Sequence, residues 1–349
     1  MANLDTRENP GGRVPEKENV PSSTRKSGEA DRGRQAENPA QLPKKGWLDV
    51  LWRTKQQLDE DNLSVVAAGV AFYGFVAVVP TLAVVIAIYA LVANAADISR
   101  HLDLLARVVP GEVMPLIQDQ VTRIASNNTA AGISAILGVL IALYSSANAT
   151  KALITGLNIS YDEKEKRGFF RLNLVALALT IAAAVGAVAS LGLVAVLPVI
   201  LGQLGLSSAS ENLISWLRWP LLLALFIFGV AVVYRYAPSR EAAKWKWISP
   251  GALIAGILWV VGSAIFSLYV TKFGSYDKTY GSLGAVVVFL MWLYLTAYVV
   301  LLGAEFNSEM ERQTVKDTTP GQEKKLGERG AYAADTVGES KDEATRKKT

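Results

Sequence analysis

A polar stripe at the end of one apolar segment carries the side chains best suited to chemistry. Its members recur at spacings of three, four and three residues: Asn148, Lys151, Thr155 and Asn158. This spacing places them on one face of a helix. Polar groups are costly inside a bilayer, so one interpretation is a hydrated cavity open to the cytoplasm, in which Lys151 binds an anionic ligand or a carboxylate partner. The other is that this half of the helix emerges into the cytosol, with Lys151 reaching for water.

A carboxylate and an amide follow the last apolar segment, at Glu305 and Asn307. The basic residues expected at the same depth are Lys151, Arg171 and Arg235. One interpretation of Glu305 is an ion pair with one of these residues that holds helix ends together, and the other is a proton or substrate site.

A second polar cluster precedes the last apolar segment. Its members lie between two glycines: Tyr276, Asp277, Lys278 and Tyr280. Tyrosines at this position are typical of an aromatic belt at the membrane surface. The alternative is a second candidate site on the outer face.

Six apolar segments must position these side chains. A hydrocarbon core of about 30 Å requires roughly 20 apolar residues of helix. Six segments reach that size: 63–93, 133–157, 174–201, 213–233, 248–270 and 283–304. The sequence between them is too short to form an amphipathic shell around six buried helices, which excludes a soluble protein. The predicted fold is an all-α integral membrane protein with six transmembrane helices in a domain over 63–313.

Three further features refine this prediction. Pro80 is the predicted bend of the first segment, because proline removes a backbone hydrogen bond and clashes with the preceding turn. Residues 47–62 have apolar residues at helical spacing and are predicted to form an amphipathic helix on the membrane surface. Two amphipathic stretches in the first outer connection, 98–109 and 113–124, are predicted short helices.

Basic residues in the short connections set the predicted orientation. The connection between the second and third segments holds Lys164, Lys166, Arg167 and Arg171. The connections on the other side contain fewer basic residues. Because Lys and Arg are retained on the cytoplasmic side, both termini are predicted to be cytoplasmic.

The composition separates the membrane domain from its two ends. Of 349 residues 51% are hydrophobic, yet 35 are basic and 31 acidic, so the two kinds must be segregated along the chain. The ends, 1–46 and 314–349, have too few apolar residues to offset the entropy of ordering and are predicted to be disordered cytoplasmic tails. A net charge of +4 is too small to indicate a nucleic-acid partner.

No motif for catalysis or cofactor binding is present in the sequence. The chain lacks cysteine, which excludes disulfides, thiolate nucleophiles and cysteine-ligated metals. The phosphate loop, the zinc-binding HExxH pair and the nucleophile elbow are also absent from the sequence. The sequence therefore predicts a protein that is not an enzyme, with no catalytic residues, no metal and no cofactor.

Four motifs resemble one family of bacterial membrane proteins. They are SYDKTYGSLGAVVVFLMWLYLTAYVVLLGAEFN at 275–307, AAGVAFYGFVAVVP at 67–80, ATKALITGLNISYD at 149–162 and YRYAP at 234–238. With these motifs the chain resembles the YihY/BrkB family of inner-membrane proteins, once named after ribonuclease BN. The resemblance covers about 47–312 and implies a six-helix membrane domain whose molecular activity is unsettled.

Three functions are compatible with these observations. The first is a transporter-like protein of the bacterial inner membrane that translocates a phospholipid or a small anionic solute. The second is a noncatalytic scaffold or envelope-integrity factor. The third is a tRNA-processing ribonuclease, as the historical family name implies, although hydrolysis requires catalytic groups that the sequence lacks. The bilayer is the expected partner in each case.

Overall fold

The computed structural model describes residues 32–78, 80–81, 129–196, 208–273 and 282–348. Within these ranges the chain is helical and contains no strand. The helices are α1 Lys44–Glu60, α2 Leu63–Val76, α3 Thr129–Ser160, α4 Phe169–Leu191, α5 Ser208–Tyr236, α6 Trp245–Phe273, α7 Ser282–Glu311, α8 Tyr332–Asp335 and α9 Lys341–Lys348.

Five helices are long and apolar enough to cross a membrane. Their spans are Leu137–Ser160, Phe169–Val194, Trp216–Tyr236, Trp245–Thr271 and Val286–Glu311. These spans correspond to five of the six predicted segments, so the prediction of an all-helical membrane protein is confirmed. α2 is apolar but shorter, and the predicted first segment continues beyond residue 81, outside the described residues. Six crossings and the orientation stay predictions.

Charged side chains gather at one end of the helices, where α3, α5 and α7 end and α2, α4 and α6 begin. α1 lies across this end, with the Trp47 ring stacked on Phe306 of α7 at 5.9 Å between centroids. Leu48 and Leu51 of α1 are exposed, whereas Val50 and Arg53 are buried. This arrangement fits a helix that lies on the membrane surface. We call this end the terminal face, because both described ends of the chain fold onto it.

The described parts of the two predicted tails, 32–46 and 314–348, pack against the rest of the protein, and residues 1–31 of the predicted N-terminal tail lie outside the described residues. Within 314–348, Thr318 and Ala333 are fully buried, and the Arg329 guanidinium donates to the carbonyl oxygens of Val315 and Ala334. Residues 32–46 also pack on the terminal face, and α1 begins at Lys44. Composition conceals this order, because buried arginines bound to backbone carbonyls, rather than apolar side chains, hold these segments. We call residues 312–348 the C-terminal strap.

The strap joins the end of α7 to the beginning of the described chain. The Gly338 N–H donates to the Arg312 carbonyl at 2.9 Å, and the Gly338 carbonyl accepts from Arg34 at 2.6 Å. Arg53 on α1 donates to the Glu339 carbonyl at 2.9 Å. The Lys341 N–H donates to Asp49 at 3.0 Å, which fixes the start of α9 against α1.

Helices α6 and α7 approach each other closely at the terminal face. A Cβ atom on Gly251 would lie 2.2 Å from the carbonyl oxygen of Gly303. The Asn307 side chain bridges the same two helices: its Oδ1 accepts from the Gly251 N–H at 2.8 Å, and its Nδ2 donates to the Ile248 carbonyl at 3.0 Å. Asn307, a predicted site residue, therefore holds two helix backbones together.

α2 ends one turn before Pro80. Its last residue is Val76, and the backbone turns at Ala77. The Val76 carbonyl is the group that an N–H at position 80 would bond in a continuous helix, and proline has none. The bend at Pro80 stays a prediction.

Candidate functional site

The polar stripe of α3 divides between a cleft and a buried contact. Asn148, Lys151 and Thr155 line a cavity of about 590 Å³ that also borders Tyr73 of α2. We call this cavity the stripe cleft. The Lys151 ammonium donates to the Asn173 side chain of α4 at 3.1 Å. Lys151 therefore has a neutral partner and keeps its positive charge at the edge of the cleft.

Asn158 lies apart from the other three stripe residues. Its side chain is 5% exposed, accepts from the Ser239 N–H at 2.7 Å and donates to Glu165 at 3.0 Å. The pKa of Glu165 is lowered to about 2, chiefly because its carboxylate accepts side-chain hydrogen bonds from Arg167. Asn158 thus joins the α3–α4 connection to the segment that follows α5.

We expect Asn158→Ala to destabilise the protein by about 1–3 kcal/mol, because the buried Ser239 N–H loses its acceptor. Thermal unfolding in detergent measures this change. Thr155→Ala is the matched control, since the exposed Thr155 hydroxyl donates only to the Lys151 carbonyl of its own helix, at 3.0 Å. Equal unfolding midpoints for the two variants would contradict the assigned role.

A second cavity, of about 660 Å³, opens between the start of α4 and the end of α5. Its walls carry five basic residues: Lys166, Arg167, Arg171, Arg235 and Arg240. We call it the basic cleft. Three of the five are paired with carboxylates, in the ion pairs Lys166–Glu163 at 2.8 Å, Arg167–Glu165 at 2.7 Å and Arg240–Glu311 at 2.7 Å.

Arg171 and Arg235 are the two basic residues of the cleft without a carboxylate partner among the described residues. Arg171 is exposed and has no hydrogen-bond partner in the described part of the chain. The Arg235 guanidinium lies 4.9 Å from the centroid of the Trp245 ring and donates to the Ala243 carbonyl. Its Nε is buried and finds no acceptor in the described ranges. The donors that stay unused and accessible are those of Arg171 and the Nη2 of Arg235, which has no hydrogen-bond partner in the described ranges.

Two further properties distinguish the basic cleft. α4 begins beside it at Phe169 without a side-chain cap, so the first N–H groups of the helix add partial positive charge. Val175, Ala178 and Leu179 line the cleft one and two turns after Arg171. The cleft therefore passes from guanidinium groups to an apolar wall inside a membrane span.

Glu305 does not form the predicted ion pair. Lys151 contacts Asn173, and Arg235 contacts Ala243 and Trp245. The Glu305 side chain is 1% exposed, and its Oε2 has no hydrogen-bond partner in the described part of the chain. The prediction that Glu305 pairs with Lys151, Arg171 or Arg235 is wrong, because equal depth along the helices does not place two side chains on facing sides.

Other side chains form the ion pairs of the terminal face. Glu309 of α7 is fully buried between Arg53 of α1 and Arg312, and it pairs with both. Arg240 donates to both carboxylate oxygens of Glu311, at 3.1 and 2.7 Å. Ion pairs do lock the helix ends, but through these residues.

Comparison with known proteins assigns the family. The family model described as Virulence factor BrkB matches residues 54–327. The chain belongs to the Virulence factor BrkB family. It is 31% identical to the ribonuclease-like protein YfkH of Bacillus subtilis over 228 residues, which cover 63% of this chain and 80% of that relative. No solved structure matches the chain.

Two BrkB-like relatives carry only the name UPF0761 membrane protein. The one from Glaesserella parasuis is 29% identical over 198 residues, covering 56% of this chain and 67% of the relative. The one from Psychromonas ingrahamii is 26% identical over 272 residues, covering 76% of this chain and 87% of the relative. These names describe membrane proteins and state no molecular activity.

Other predicted features of this BrkB-family protein fall outside the described residues. They are the outer cluster Tyr276, Asp277, Lys278 and Tyr280 and the two amphipathic stretches 98–109 and 113–124. Sequence reasoning also missed Asp61 and Asp162, two acidic residues beside Glu305. The signal for both was an acidic residue one or two positions after the end of a helix, in the connection that leads to the next helix.

Proposed function

We propose that this BrkB-family protein is transporter-like and translocates an anionic phospholipid or a small anionic solute across the bacterial inner membrane. The observation that supports this proposal is the basic cleft, where Arg171 and Arg235 keep unused donors above an apolar wall. Guanidinium groups bind phosphate and carboxylate through paired, charge-assisted hydrogen bonds. An apolar wall below the cations accommodates an acyl chain.

The stripe cleft supplies a second polar surface within the membrane domain. Lys151 holds a positive charge near the terminal face, and Asn148 and Thr155 continue the polar surface along α3. Polar groups that line a cavity inside a membrane are typical of substrate pathways. We place the terminal face in the cytoplasm, because the basic connections of the chain lie on it.

Translocation by the purified protein in vesicles tests this proposal. Proteoliposomes that contain a fluorescently labelled anionic phospholipid should exchange it between leaflets faster than protein-free vesicles. We expect the double variant Arg171→Ala/Arg235→Ala to lower the rate about tenfold or more, because one charge-assisted hydrogen bond contributes about 1.5–3 kcal/mol and 1.4 kcal/mol is a factor of ten.

The matched control is Lys325→Ala, which removes an exposed positive charge from the C-terminal strap outside the basic cleft. This variant should keep the wild-type rate. A labelled anionic solute enclosed in the same vesicles distinguishes the two substrate classes. Wild-type protein that moves neither probe, or a double variant that moves them at the full rate, would overturn the proposal.

A further inference from the structure

We propose that Asp61 and Glu305 form a proton-binding site at the terminal face, in which the two carboxyl groups share one proton. Asp61 follows the last residue of α1 and faces α7 from the turn before α2. Glu305 lies in the last two turns of α7. The site thus joins the surface helix α1 to the membrane-spanning helix α7, and it goes beyond the translocation proposed above.

One buried oxygen of each carboxyl group lacks another partner. The buried atoms Oε2 of Glu305 and Oδ2 of Asp61 have no hydrogen-bond partner elsewhere in the described residues. The two side chains lie within hydrogen-bonding reach of each other. Ionised carboxylates are acceptors only, so a hydrogen bond between them requires that one of the two is protonated. Two carboxylates that share a site cannot both ionise readily.

The surrounding charges also favour a bound proton. The charged groups around Glu305 come from three places: Asp61 in the α1–α2 turn, Asp162 in the α3–α4 connection, and Glu309 and Arg312 at the end of α7. Glu60, the last residue of α1, adds its charge beside Asp61. Arg312 already pairs with Glu309, and Arg53 is bound to the same carboxylate. Acidic groups therefore outnumber the basic groups near the pair.

Asp61 connects the buried Glu305 to water. Asp61 is partly exposed, whereas Glu305 is buried. Burial, followed by the charges of Asp162 and Glu60, raises the pKa of Asp61 to about 6. A proton from water binds the Asp61 carboxylate, and the resulting O–H donates to Glu305 or passes its proton to it. Loss of that proton leaves two facing carboxylates, whose repulsion pushes the α1–α2 turn away from α7.

Infrared difference spectroscopy of the full chain in lipid nanodiscs tests the site. We expect the wild type to have a C=O stretching band of a protonated carboxyl group below a pH of about 6, which shifts in D₂O and disappears as the pH rises above that value. Asp61→Asn and Glu305→Gln should each abolish that band, because either change removes one half of the pair. Glu323→Gln, at an exposed carboxylate of the strap, should leave it unchanged.

Thermal unfolding against pH gives a second readout. The folded-state pKa of Asp61 lies above its unfolded value, so the native state binds the proton more tightly and stability falls as the pH rises through about 6. Asp61→Asn should remove this loss of stability. A wild type without the carboxyl band, or a band that survives both substitutions, would overturn the proposal. Neither measurement involves transport, so this result is independent of the proposed translocation.

Discussion

Gly251→Ala is expected to destabilise the protein by about 3 kcal/mol or more, near the upper end of the cost of overpacking a close-packed interior. The added methyl group would meet the Gly303 carbonyl oxygen at 2.2 Å and the Asn307 side chain at 2.4 Å. The first of these atoms belongs to the backbone of α7, which cannot yield without moving the whole helix. The substitution should also break the hydrogen bond from the Gly251 N–H to Asn307.

The measurement is the midpoint of thermal or SDS-induced unfolding of the purified protein. Gly229→Ala in α5 and Gly186→Ala in α4 are the matched controls, because a Cβ on either glycine meets no atom within 4 Å. Both controls should be neutral or slightly stabilising, since alanine is favoured over glycine in a helix by about 1 kcal/mol. If Gly251→Ala unfolds at the same midpoint as these controls, the close approach of α6 and α7 is refuted.

The second large effect is expected for Glu309→Gln. This change removes the charge that neutralises Arg53, whose side chain is buried. The Arg53 guanidinium also donates to the Glu309 carbonyl and to the Gln313 side chain, at 2.8 Å each. Removing one partner of a buried ion pair costs about 3–5 kcal/mol, because the remaining charge stays buried without compensation. The unfolding midpoint should fall accordingly, and the loss should be larger than for Asn158→Ala.

A double substitution distinguishes the loss of the Arg53–Glu309 ion pair from the general effect of mutating this region. Arg53→Met/Glu309→Leu replaces both charges with apolar groups of similar size, and such replacements are often neutral or stabilising. We expect the double variant to recover part of the stability that Glu309→Gln loses, because Arg312 also loses its Glu309 partner and retains Asp162 at 4.0 Å. A double variant that is no more stable than Glu309→Gln would show that the cost arises elsewhere.

Hydrophobic length was sufficient to predict the membrane spans. The predicted segment 213–233 corresponds to the span Trp216–Tyr236, and 248–270 corresponds to Trp245–Thr271. A run of about 20 apolar residues has the length that a helix needs to cross the hydrocarbon core. The spacing of Asn148, Lys151 and Thr155 predicted that they share one face of a helix, and in the structure all three line the stripe cleft. Asn158 belongs to the same stripe, but the chain turns back beside it and supplies partners that spacing cannot indicate.

The partners of Glu305 could not be predicted from the sequence, because they depend on how each helix is rotated about its axis. Charge and depth indicate which residues lie at one level, but packing decides which sides face each other. α7 turns Glu305 toward the α1–α2 turn, whereas Lys151 on α3 meets Asn173 on α4. The order of the strap was equally hidden, since its contacts include hydrogen bonds from Arg329 to backbone carbonyls, which composition does not indicate.

The C-terminal strap also constrains how the protein assembles during synthesis. α1 is translated before any of the five described spans, yet its Arg53 and Asp49 find partners at Glu339 and Lys341. These partners leave the ribosome only after the last span has been made. Arg53 and Asp49 also pair with Glu309 and Arg32, which are made before the strap. A chain stalled before residue 338 would therefore keep these ion pairs but lack the contacts that the strap adds to the terminal face.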